Sequence, residues 1–245
     1  MRFLRLAMLA ATSSVALTIG GANAADLARY KAPPPPPPLY NWSGLYVGAN
    51  IGYSWGELQF DATLAAAGAV SRTERMDGVI GGLQSGYNFQ LGGWVLGFES
   101  DIQLSGQKGG ETFPGVLGST VTTDVRLEWF GTSRTRLGIL ATPNILLYGT
   151  AGIAYGQYKE SATVTIAGVG SITSTFKDVK AGWTAGGGIE GALWSGWSAK
   201  VEYLYIDLGK TEHTFGTVAL GVLGTETRRV TDNIVRVGVN YRFGR

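Results

Sequence analysis

The chain has 245 residues, with 38 Gly, one His, no Cys and a net charge of +2. Without Cys there is no disulfide scaffold, no thiolate metal site and no cysteine nucleophile, and one His excludes a His-rich metal centre. Hydrophobic residues reach 44%, too many for a disordered chain, and the small net charge gives no case for a nucleic-acid partner.

Residues 1–24 read as a cleavable signal peptide. Arg2 and Arg5 form a positive n-region, LAMLAATSSVALTIGG follows, and Ala22-Asn23-Ala24 supplies the small residues that signal peptidase accepts. Thr12, Ser13, Ser14 and Thr18 interrupt the apolar stretch, which argues against a retained anchor. Removing Arg2 and Arg5 brings Lys plus Arg level with the 18 acidic residues. No later segment reaches the roughly 18 apolar residues of a membrane helix, so a membrane would have to be crossed by strands. Residues 25–41 read as a periplasmic tether. Its run from Pro33 to Pro38 makes a stiff polyproline rod of about 3.1 Å per residue.

From residue 42 the chain alternates with period two, the strand signature. In 44–56, Leu45, Val47, Ala49, Ile51, Tyr53 and Trp55 share one face, and Gly44, Tyr46, Gly48, Asn50, Gly52 and Ser54 the other. The pattern recurs near 77–90, 93–105, 123–139, 145–157, 179–193, 196–207 and 232–243. Short connections at 91–92, 141–144 and 194–196 have turn chemistry. Longer ones, near 57–76, 106–122, 158–178 and 208–231, are rich in Gly, Thr and Ser and read as loops. The fold class expected is all-β: an eight-stranded antiparallel up-and-down transmembrane β-barrel over 42–245, short turns on the periplasmic side and long loops outside. Trp42, Trp55, Trp94, Trp194, Trp197, Tyr241 and Phe243 fall at strand ends, where interface girdles belong.

The face opposite the apolar one carries the charges: Glu99, Asp101, Arg126, Glu128, Arg134, Arg136, Glu190, Lys200, Glu202 and Arg236. Five acids balance five bases. An eight-stranded barrel is just wide enough for side chains to fill, and an unpaired ion there costs several kcal/mol. The set therefore reads as a salt-bridged plug. Glu99 with Arg134, Glu190 with Lys200, and Glu202 with Arg236 are the expected partners.

Other motifs carry less. Residues 186–191 satisfy G-x-G-x-x-G, but they lie inside a strand pattern with no helix to receive phosphates. His213 stands alone in a long connection. No catalytic, cofactor-binding or metal-binding residue is assigned, and no enzyme activity is expected.

The stretches WSGLYVGANIGYSWG at 42–56, RTRLGI at 134–139, LYGTAGIAYG at 147–156, AGWTAGGGIEGAL at 181–193, KVEYLYIDLG at 200–209 and VRVGVNYRF at 235–243 together resemble the small outer-membrane β-barrel family of alphaproteobacteria, often called a porin family. The resemblance implies an outer-membrane protein of a Gram-negative bacterium with roles in envelope integrity and surface exposure. The alternative it carries is a narrow porin or haem-binding receptor. It also implies outer-membrane lipid and lipopolysaccharide as surroundings, and an assembly machinery that reads the last strand, here Val237, Val239, Tyr241 and Phe243. Family chains usually end on the aromatic, whereas Gly244-Arg245 follow Phe243. Some relatives are joined to peptidoglycan through the N-terminus, a use that the tether fits.

Overall fold

The computed structural model describes residues 40–64, 68–114, 118–217 and 222–243. The segments read as signal peptide and as tether, up to residue 39, lie outside that set. The described residues form β1 (Gly44–Leu64), β2 (Gly68–Leu91), β3 (Trp94–Ser105), β4 (Lys108–Pro114), β5 (Ser119–Thr142), β6 (Ile145–Ile166), β7 (Gly170–Ala192), β8 (Trp197–Thr217) and β9 (Val222–Arg242). All pairings are antiparallel, and β1 pairs with both β2 and β9, which closes the ring. Strands β3 and β4 share one position between β2 and β5, interrupted at Gly106-Gln107. The barrel thus has eight staves.

Alternation decides which side is out. Along β1, Leu45, Val47, Ile51, Tyr53 and Trp55 are exposed, while Tyr46, Asn50 and Ser54 are buried. The same phase runs along β9, with Val235, Val237, Val239, Tyr241 and Phe243 outward and Arg236, Asn240 and Arg242 inward. A soluble protein buries its large apolar side chains, so this inverted arrangement suits a hydrocarbon surround. Phe89, Trp94, Trp194, Trp197, Tyr241 and Phe243 are exposed at the short-turn end, and Tyr53, Trp55, Trp183 and Tyr203 ring the other side of the apolar belt.

The strands are much longer than a membrane requires. Most staves run 21 to 24 residues, against about 9–11 for a crossing. The four long connections expected as loops are therefore mostly ladder. They escape a periodicity reading because only their bases, at Leu58, Met76, Tyr158, Leu208 and Val230, bury apolar side chains, and no sustained apolar alternation marks the rest. Threonine and serine hold them instead. Thr112 pairs with Thr122 at 3.1 Å, Ser161 with Thr175 at 3.1 Å and Thr163 with Thr173 at 2.9 Å, each across a ladder.

Above the apolar belt the ring divides. Among the described residues, β7 pairs with β8 only from Trp183↔Asp207 to Ala192↔Ser198, and β2 pairs with β4 only at Asp77↔Lys108. Two four-stranded sheets result, β8-β9-β1-β2 and β4-β5-β6-β7. Between them sits a buried apolar cluster that includes Leu58, Met76, Leu127, Phe130, Tyr158, Leu204, Ile206 and Val230. Contacts among the described residues also join the sheets farther out. The Arg72 guanidinium lies 3.9 Å from the Phe113 ring centroid, Thr123 Oγ1 donates to Glu74 Oε1 at 2.7 Å, and Arg228 pairs with Glu160.

Candidate functional site

Eight of the ten charged residues read as inward meet in the lumen. Strand β3 supplies Glu99 and Asp101, β5 supplies Arg134 and Arg136, β7 supplies Glu190, β8 supplies Lys200 and Glu202, and β9 supplies Arg236. Arg134 Nη2 reaches Glu99 Oε1 at 2.6 Å and Asp101 Oδ2 at 2.9 Å, while its Nη1 reaches Glu202 Oε1 at 3.1 Å. Arg236 Nη2 lies 2.6 Å from Glu202 Oε2 and 2.9 Å from Asp101 Oδ2. Lys200 Nζ sits 2.8 Å from both oxygens of Glu99. Arg136 Nη2 lies 2.6 Å from Glu190 Oε2. None of these side chains is more than 2% exposed. Four acids and four bases balance within this cluster, as burial of charge demands, and Arg242 borders it with Nη2 4.0 Å from Glu190 Oε1.

Glu190 and Lys200 are opposite each other on the β7–β8 ladder, yet the pair expected there does not form. Lys200 turns to Glu99, and Glu190 takes Arg136 together with Ser198 Oγ at 2.6 Å and Asn240 Nδ2 at 3.0 Å. In a narrow lumen a long side chain reaches across to the far wall as readily as to its neighbour, so ladder height alone does not select partners.

Arg126 and Glu128 are not in this cluster, and β5 gives the reason. Leu127 is opposite Tyr158 and Trp129 opposite Gln157, so Glu128 is an extra, bulged residue. One inserted residue exchanges the two faces of a strand. Below the bulge the even positions Phe130, Thr132, Arg134 and Arg136 point inward; above it the odd positions Val125 and Leu127 do. Arg126 therefore faces outward and is exposed, and Glu128 meets Lys177 at 3.6 Å on the outer surface. Val125 and Leu127, read as outward, are instead 1% and 3% exposed and belong to the apolar cluster.

The cluster has a tyrosine at each flank that glycines admit. Tyr46 donates to Glu99 Oε2 at 2.8 Å and Tyr148 to Glu202 Oε1 at 2.9 Å. A Cβ at Gly86 would come within 2.4 Å of the Tyr46 hydroxyl, and one at Gly188 within 2.8 Å of that of Tyr148. The glycines of 186–191 thus make room for lumen side chains within β7. Tyr46 and Arg242 share the inward parity of their strands, a signal the sequence carried.

Both ends of the network are covered. At the short-turn mouth Trp42 is 0% exposed and packs with Val95, Leu146 and Tyr148. Its Nε1 donates to Pro143 O at 3.0 Å. Trp42 is therefore a stopper and not a girdle residue, as its place at a strand end suggested. Arg242 lies 5.1 Å from the ring centroids of both Tyr40 and Trp42, and its Nη1 donates to Asn41 O at 3.1 Å. At the outer end, Ser54 Oγ donates to Asp232 Oδ1 at 2.6 Å and Gln107 Nε2 to both Asp232 oxygens at 3.1 Å, beneath the apolar cluster.

Comparison with known proteins agrees with this architecture. The family model described as outer membrane protein beta-barrel domain matches residues 12–243. The chain belongs to the outer-membrane β-barrel family. A 31 kDa outer-membrane immunogenic protein of Brucella melitensis is 39% identical to it over 211 residues, which cover 83% of this chain and 85% of that protein. A 22 kDa outer membrane protein of Rhizobium leguminosarum bv. viciae is 28% identical over 206 residues, 84% and 80% of the two chains. The solved outer membrane protein OprG from Pseudomonas aeruginosa matches with a TM-score of 0.47 and 14% identity, over 83% of this chain and 98% of that one. This outer-membrane barrel accordingly resides in the outer membrane of a Gram-negative bacterium.

Proposed function

We propose that this outer-membrane barrel is a structural protein of the envelope, whose lumen is closed by salt bridges and whose extended hairpins are displayed outside. The observation that carries the reading is the neutral, fully buried network of Glu99, Asp101, Arg134, Arg136, Glu190, Lys200, Glu202 and Arg236. A solute would have to displace charges from one another as well as pass Trp42 and the apolar cluster. No residue is assigned to catalysis. Val237, Val239, Tyr241 and Phe243 form the terminal stripe offered to the assembly machinery, and Gly244-Arg245 extend beyond it. The tether would reach toward peptidoglycan.

Planar-bilayer recording tests the closure. The purified barrel should insert without unitary current steps. Stable steps would overturn the closed lumen in favour of a narrow pore. Cells lacking the protein should become sensitive to detergent and regain resistance with the wild-type gene; unchanged resistance would remove the envelope role.

A further inference from the structure

The outer face above the apolar belt carries a row that neither the lumen nor the fold uses. Lys108 of β4 is opposite Arg126 of β5, Arg126 is opposite Lys159 of β6, and Lys159 is opposite Lys177 of β7. Four cations thus stand on one ladder row across four adjacent strands, about 4.8 Å apart. All four face outward, because Gln107, Leu127, Tyr158 and Lys180, next to them in the chain or of opposite phase, are the buried ones. The bulge at Glu128 is what turns Arg126 to this side.

Like charges directly opposite one another weaken a ladder, so the row costs stability unless something anionic covers it. The protein supplies little. Lys177 has Glu128 at 3.6 Å, and among the described residues Lys108, Arg126 and Lys159 have no ion pair. Asp77 is opposite Lys108 at the end of the row and accepts a hydrogen bond from the Tyr53 hydroxyl, without an ion pair to Lys108 among the described residues; it borders one cation of the four. Asp124 lies two residues from Arg126 on the same face.

Height points to the ligand. Lys159 lies four residues beyond Tyr155 and Lys177 six beyond Trp183, both at the outer edge of the apolar belt. With about 3.3 Å per residue and a strand tilt near 40°, these distances are roughly 10 and 15 Å above the hydrocarbon. That is the headgroup layer of the outer leaflet, and the row climbs through it.

We propose that Lys108, Arg126, Lys159 and Lys177 form a binding site for the phosphorylated headgroup of an outer-leaflet glycolipid. Phosphate oxygens lie between neighbouring cations and relieve their repulsion, while the acyl chains run down the apolar outer face below. The inference rests on the outer-membrane location and goes beyond the closed lumen, so a conducting barrel would leave it standing.

The test uses the folded barrel in a non-ionic detergent and native mass spectrometry with bisphosphorylated lipid A. Each charge near an anionic surface is worth about fivefold in affinity. The double variant Arg126→Gln/Lys159→Gln should therefore bind about twenty-five-fold more weakly. Arg75→Gln/Lys210→Gln, which removes two cations outside the row, should bind as the wild type does. Folding is checked for each by heat-modifiable mobility, and the single Arg126→Gln carries the test should the double not fold. Lipid A stripped of phosphate should bind the wild type no better than it binds the variant. The site is refuted by equal affinity of wild type and variant, or by undiminished binding of the dephosphorylated lipid. Full competition by inorganic phosphate at equal concentration would make the row a free-anion site and overturn the assignment to a lipid.

Discussion

Arg236 shows how much rides on one side chain in a filled lumen. Its guanidinium serves Glu202 at 2.6 Å and Asp101 at 2.9 Å, so Arg236→Met leaves a buried negative excess. That loss should cost about 3–5 kcal/mol. Arg236→Met/Glu202→Met removes one charge of each sign and should be less damaging than the single change, read as urea midpoints of the refolded barrel. Additive losses would mean that the two residues do not share an interaction. Trp42→Ala should destabilise the barrel too, by roughly 3–5 kcal/mol, since Trp42 is fully buried in the short-turn mouth. The inward charges were legible because charge and parity coincide on β3, β7, β8 and β9. Trp42 was not. It precedes β1, so no alternation assigns it a side, and an aromatic at a strand end suits a girdle equally well.

At the level of single strands, β5 carries the most consequential irregularity. Its one-residue insertion at Glu128 reverses which side chains are inside. A pair of substitutions reports the reversal directly. Leu127→Glu should place an unpaired charge in the apolar cluster and cost about 3 kcal/mol or more. Arg126→Glu, one residue away on the exposed face and opposite Lys108 and Lys159, should cost nothing and can stabilise by up to about 1 kcal/mol. The opposite ranking would restore the unbroken phase that alternation alone predicts. A bulge is hard to read from sequence because Val125-Arg126-Leu127-Glu128 continues the apolar–charged alternation faultlessly. Only the pairing with Tyr158 and Gln157 reveals that one residue too many is present. The outer hairpins were obscured differently. Their threonines and serines belong to turns by composition, but β-branching and cross-strand hydroxyl pairs keep them in the ladder.

The whole molecule is a membrane-embedded ring that continues outward as two sheets. Its orientation is testable by surface labelling. A cysteine at Val169, 81% exposed at the β6–β7 tip, should react with an impermeant maleimide on intact cells. A cysteine at Asn144, in the short turn between β5 and β6, should react only after permeabilisation; the reverse pattern would invert the barrel. Circular closure, strand direction and the apolar exterior were readable from eight alternating segments and three short turns. The division into two sheets was not, since nothing in 170–182 or 208–217 marks where lateral pairing stops. That division has a consequence for the backbone clock of the molecule. In β7 below Trp183 every amide has a partner on one flank or the other. From Gly170 to Lys180, among the described residues, only the amides turned toward β6 do, and alternate ones face the seam. Deuterium should therefore enter the outer half of β7 at every second residue within seconds, while the half gripped by lipid and by β8 holds its protons for days.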